Sequence, residues 1–163
     1  MKVYGVTGWK NSGKTSLIER LVTEFSARGL RVSTLKHAHH SFDVDEPGRD
    51  SHKHRQAGAQ EVLIASDTRW ALMAELRGAA EPGLDALIAK LSPVDLVLVE
   101  GWKQAPHPKV ECFRAEIGND LIAPANPSVK VIAADCDLAA DVPVIALDDT
   151  KVIADFIARD LGL

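Results

Sequence analysis

Eight residues near the start of the chain, Gly8-Trp9-Lys10-Asn11-Ser12-Gly13-Lys14-Thr15, have the types and the spacing to hold a phosphate chain. They match G-x-x-x-x-G-K-[ST] in full, a pattern in which a glycine-rich turn aims backbone N–H groups at phosphate oxygens. Glycine supplies the positive φ angles that the curl requires, and a helix starting at its end adds partial positive charge. In that arrangement Gly8 to Ser16 line the anion, Lys14 reaches the β- and γ-phosphates, and the Thr15 hydroxyl ligates Mg2+. The expected chemistry is Mg2+-dependent binding of a nucleoside phosphate. The alternative is a glycine turn that joins two elements and binds nothing.

The flanking residues decide between these. Val3-Tyr4-Gly5-Val6-Thr7 is a short β-branched and aromatic run of the kind that forms a buried strand. After the loop, Ser16 to Arg28 place Leu17, Ile18, Leu21, Val22 and Phe25 on one helical face. Strand, loop and helix in that order are the context the motif needs. Further strands are expected at Arg31–Lys36, Glu61–Ser66, Asp95–Gly101, Lys109–Arg114, Val129–Ala134 and Val142–Leu147, with Arg69–Leu76 reading as a strand or a helical turn. Pro143 marks Val142–Leu147 as an edge strand. Helices are expected from Pro82 (Leu84, Leu87, Ile88, Leu91 inward) and from Thr150 (Val152, Ile153, Phe156, Ile157, Leu161 inward). The alternation predicts a single α/β domain over residues 1–163, a P-loop NTPase-type three-layer fold with a mostly parallel sheet and helices on both faces.

Composition sets limits on function. With 163 residues, 46% of them hydrophobic, one domain has material for a real core. A formal net charge of -4 offers nucleic acid no attraction. No apolar run is long enough to span a membrane, and Met1-Lys2-Val3-Tyr4 leads directly into the first strand. Cys112 and Cys136 stand far apart, outside any C-x-x-C, which suits small packing roles in a reducing compartment. The expected location is the cytoplasm.

A second acid is needed near the phosphates, and the strand Asp95-Leu96-Val97-Leu98-Val99-Glu100 carries one at each end. In open α/β sheets, ligands sit beyond the carboxyl ends of the strands. Five extended residues separate the two acids by about 16 Å. Glu100 therefore shares the loop's end, to hold Mg2+ directly or through water, or to position an attacking water. A strand-end glutamate facing solvent is the alternative.

Five of the six histidines fall between His37 and His54, interleaved with Asp43, Asp45 and Asp50. Imidazole and carboxylate together suit a transition metal. The segment also reads as a polar loop beside the phosphates, with Lys36, Arg49, Lys53 and Arg55 facing a polyanion and Asp50 assisting Mg2+. A solvated surface is the third reading.

Taken in order, the phosphate loop, Lys36-His37-Ala38-His39-His40-Ser41-Phe42-Asp43-Val44-Asp45, Gly48-Arg49-Asp50-Ser51, Arg55-Gln56-Ala57-Gly58-Ala59 and Leu98-Val99-Glu100-Gly101-Trp102-Lys103 resemble the MobB family. That family comprises adaptor proteins of molybdopterin guanine dinucleotide biosynthesis. The resemblance implies a cytoplasmic, homodimeric GTP-binding protein with weak GTPase activity. It would assist the guanylyltransferase MobA, which joins GMP to molybdopterin. Gly8, Ser12, Gly13, Lys14 and Thr15 carry over as GTP-phosphate and Mg2+ contacts, and Glu100 as the acid at the strand end. The His–Asp block carries over as a signature alone. No Asn-Lys-x-Asp guanine motif is present, and Asp135, after the Val129–Ala134 strand, is the candidate to receive the guanine N–H groups. The preference for guanine comes from the resemblance alone.

Two other functions compete. A P-loop kinase acting on a small acceptor needs a lid with arginines, and the candidate lid, Pro106 to Asn119, holds only Lys109 and Arg114. A GTP-dependent metal chaperone would bind zinc or nickel through His37, His39 and His40.

Overall fold

The computed structural model describes residues 1–38 and 42–163. In chain order the elements are β1 (Lys2–Thr7), α1 (Lys14–Ala27), β2 (Val32–Lys36), α2 (Asp50–Gln56), β3 (Glu61–Ala65), β4 (Trp70–Ala74), α3 (Leu84–Ile88), β5 (Leu96–Glu100), β6 (Lys109–Phe113), β7 (Val129–Ala134), β8 (Val144–Ala146) and α4 (Thr150–Leu161). They form two compact units, residues 1–37 with 84–163, and residues 38–83.

The first unit is built on a six-stranded sheet in the order β2-β5-β1-β6-β7-β8, with every pairing parallel. Parallel strands need both faces covered, and β5 is buried at all five positions. On one face Tyr4, Val6, Leu96, Leu98, Val110, Cys112, Val131 and Ala133 meet Leu17, Leu21 and Phe25 of α1 and Ile153, Ala154 and Ile157 of α4. Each large side chain buried there contributes about 1.5–3 kcal/mol. Alternation sends Val97, Val99, Lys109, Glu111 and Ile132 to the other face, where they are also buried. Asp85 of α3 is close enough to favour the charged form of His107.

β8 is the edge strand that Pro143 indicates, and Asp149 caps α4 by accepting the Val152 N–H at 3.1 Å. Two expectations shift. α3 stops at Ile88, because Lys90 and Leu91 donate to Leu87 and Ile88 in tighter i→i−3 turns ahead of Pro93. Val152 is 44% exposed, since it falls one residue short of the buried stripe of α4.

In the second unit β3 and β4 pair antiparallel as a hairpin, apart from the main sheet. A connection as short as Ser66 to Arg69 allows only that pairing. Ser66 closes the turn, its N–H donating to the Arg69 carbonyl while its Oγ accepts from the Thr68 and Arg69 N–H groups. The unit is organised around Arg55, whose guanidinium pairs with Asp43, Asp45 and, at 2.7 Å, Glu75. These contacts hold Arg55 charged and keep Asp45 below the usual carboxylate range. Asp43 and Asp45 of the His–Asp block thus have a structural partner. Arg55 is committed to them, which removes it from the cations expected to face a polyanion.

Candidate functional site

The phosphate loop runs from the end of β1 to the start of α1, and its backbone explains its composition. Gly8 has φ 141° and Gly13 φ 93°, both in the region that favours glycine. A Cβ at Gly8 would run into Ser12 Oγ and the Cys112 carbonyl. Asn11, at φ 67°, is of the non-glycine type that best tolerates a left-handed conformation. The turn is closed by the Ser12 N–H donating to the Trp9 carbonyl at 3.2 Å, and Lys14 Nζ donates to the same carbonyl at 2.6 Å. Burial lowers the Lys14 pKa, and the nearby Glu100 charge opposes that shift.

The loop is tied down at Trp9. Trp9 Nε1 donates to the Asp120 carbonyl at 2.7 Å, and Lys103 Nζ sits 4.6 Å from the centre of the Trp9 ring. Lys10, Thr15 and Ser16 face solvent. Ser12 Oγ is buried without a hydrogen-bond partner among the described residues. A buried hydroxyl in a glycine-rich curl, next to a lysine and a helix start, fits an oxyanion ligand. Thr15 and Glu100 are the hard oxygen donors that Mg2+ takes.

Glu100 closes β5 in register with Val6 of β1 and Lys36 of β2. Its carboxylate is nearly buried and lies 3.5 Å from Lys36 Nζ. The structure therefore brings together the loop, Lys14 and Glu100, with Lys36 and Lys103 acting on the Lys14 charge. The solvent-facing alternative for Glu100 does not hold. Gly101, at φ 107°, lets the chain pass His37, where a Cβ would meet the His37 side chain at 2.8 Å. The His37 ring in turn lies 5.1 Å from that of Trp102.

Asp135 follows β7. Its Oδ1 accepts the Ala115 N–H at 2.9 Å and its Oδ2 lies 3.8 Å from Arg114 Nη1. A cavity of about 570 Å³ opens beside it, lined by Asp135, Cys136, Ala146, Leu147 and Asp148 among others. Asp50 belongs to the second unit, where its solvent-facing carboxylate lies 3.5 Å from Lys53 Nζ. His39 and His40 lie outside the described residues. Among the described residues no three His, Cys, Asp or Glu side chains are placed to hold a metal ion together.

The stretch considered as a kinase lid contains β6 at its centre. Lys109 is in β6, 1% exposed, with Nζ donating to the Ala105 and His107 carbonyls and Ser128 Oγ. Arg114 is different. It ends beside the start of α1, a position the sequence signals only through the strand that precedes it.

A parallel sheet whose first strand runs through this loop into a helix, with an acid closing the neighbouring strand, defines a P-loop NTPase-type α/β protein. Residues 3–137 match the family model of molybdopterin guanine dinucleotide synthesis protein B, MobB, and the chain belongs to that family. The molybdopterin-guanine dinucleotide biosynthesis adapter protein of Escherichia coli (strain K12) is 38% identical over 156 residues, covering 93% of this chain and 88% of that protein. The Haemophilus influenzae protein of the same name is 40% identical over 155 residues, covering 94% and 85%. The crystal structure of Bacillus subtilis MobB superposes with a TM-score of 0.76 at 27% identity, covering 99% of this chain and 98% of that one. No helix among the described residues is long and apolar enough to cross a membrane.

Proposed function

We propose that this chain serves as the adapter of molybdopterin guanine dinucleotide biosynthesis, a cytoplasmic homodimer that binds GTP with Mg2+ in the phosphate loop. It works with the guanylyltransferase MobA, which joins GMP to molybdopterin. The observation that carries the nucleotide part is the loop itself, with Gly8 and Gly13 at positive φ, Ser12 Oγ buried without a partner and Lys14 half-buried beside Glu100. Lys14 and the backbone N–H groups orient the phosphates, while Thr15 and Glu100 hold the cation. Asp135 takes the base. When bound, Mg2+ neutralises charge on the β- and γ-oxygens. The hydrolysis expected is slow, with catalysis resting mostly on positioning and charge stabilisation completed by a partner.

The test is calorimetric titration with GTP and ATP analogues plus Mg2+, with and without molybdopterin-loaded guanylyltransferase. Preference for GTP, strengthened by the partner, supports the adapter. Preference for ATP, indifferent to the partner, overturns it.

A further inference from the structure

Arg114 follows β6, and its guanidinium lies against the point where the phosphate loop becomes α1. A Cβ built on Gly13 would lie 3.5 Å from Arg114 Nε and 3.6 Å from Leu147 Cδ2. The guanidinium also lies 3.8 Å from Asp135, too far for a hydrogen bond. Arg114 also lines a small cleft with Ser12, whose buried Oγ is unpartnered among the described residues.

The sheet order divides the site into two flanks. β5 lies on one side of β1, and β6, β7 and β8 lie on the other. Glu100 and Lys36 therefore border the loop on one flank, and Arg114, Asp135 and Leu147 border it on the other. If the terminal phosphates and Mg2+ occupy the Glu100 flank, the nucleoside extends past Gly13 into the cavity at the ends of β7 and β8. The residues after β7 are Asp135-Cys136-Asp137-Leu138, so no cation follows that strand to meet it. Two arginines border that cavity: Arg20, whose guanidinium is engaged by the Leu147 carbonyl at 2.8 Å and by Asp148, and Arg114, which lies beside Gly13 and reaches Asp135 only at 3.8 Å.

We infer that Arg114 contacts the nucleoside half of the bound nucleotide, with its planar guanidinium against the ribose and base. This rests on the nucleotide reading above. A guanidinium suits the role because it stacks on an aromatic face and donates in a fixed fork, whereas an ammonium does neither as well.

The experiment titrates wild type, R114A, R114K and K14A with GTP, with GDP and with inorganic tripolyphosphate, all with Mg2+. Tripolyphosphate carries the phosphates without the nucleoside. R114A is expected to bind GTP and GDP about tenfold more weakly and tripolyphosphate as wild type does. R114K keeps a charge beside Asp135 but loses the planar fork, and it should also lose several-fold for the nucleotides. K14A should weaken all three ligands. Equal losses for GTP and tripolyphosphate in R114A would assign Arg114 to the phosphates and overturn the inference, as would unchanged GTP affinity. A wild type that binds tripolyphosphate and no nucleotide better overturns it too. Wild type binding none of the three would sink the nucleotide reading itself, and this inference with it.

Discussion

Glu100 of β5 and Val6 of β1 stand opposite each other in parallel register, so the acid is level with the last residues before the phosphate loop. Its carboxylate lies 3.5 Å from Lys36 Nζ, and strand alternation puts Glu100 on the same face as Leu96 and Leu98, which pack against α1. Glu100→Gln keeps the size and removes the charge. It should reduce single-turnover GTP hydrolysis by at least about tenfold while changing GTP affinity less. Equal loss in both would move Glu100 out of the hydrolytic step.

Lys14 donates a hydrogen bond to the Trp9 carbonyl within its own loop. Its removal leaves the sheet and both packed helices untouched. Lys14→Ala is expected to lower Mg-GTP affinity by about two orders of magnitude, with an unchanged far-UV spectrum and melting temperature. Calorimetry and thermal melts on the same sample give both numbers.

Glu111 is fully buried, in register with Thr7, and accepts the Ile122 and Ala123 N–H groups at 2.7 and 2.8 Å. Burial raises its pKa, and the two backbone donors pull against that. Glu111→Ala leaves both donors without a partner and should cost about 2–4 kcal/mol in urea unfolding. Glu111→Gln keeps one acceptor and should cost less.

His107 gives a pH signature. Burial, with the Lys109 charge adding to it, pushes its pKa down to about 4 from 6.5. The unfolded chain takes up this proton near pH 6.5 and the folded chain only near pH 4, so protonation favours unfolding in between. Stability from this group is therefore complete above the upper value and declines as pH falls towards the lower one. His107→Leu should flatten that part of the wild-type profile, measured as the difference in urea midpoint from about pH 7 to pH 4.

Much of the site was legible before any coordinates. Spacing alone located the loop, and the rule that ligands sit at strand carboxyl ends separated Glu100 from Asp95. Periodicity found the buried faces of α1 and most of α4, and β7 ends where the pattern places it. Other assignments were beyond local pattern. Arg55 is one of four cations in its stretch, and nothing nearby in sequence says that Asp43, Asp45 and Glu75 converge on it. Lys109 and Arg114 look equivalent as lid cations, yet one is buried under the sheet and the other lies beside Gly13.

The sequence by itself determined where the glycine-rich loop lies, because its curl depends on its own residues and on the strand and helix on either side of it. It also determined the strand–helix alternation, since burial on one face leaves a period that can be read directly. Only the tertiary structure decided which charges serve the site and which serve the fold. That choice depends on parallel register and strand order, which bring residues a hundred positions apart to one edge of the sheet.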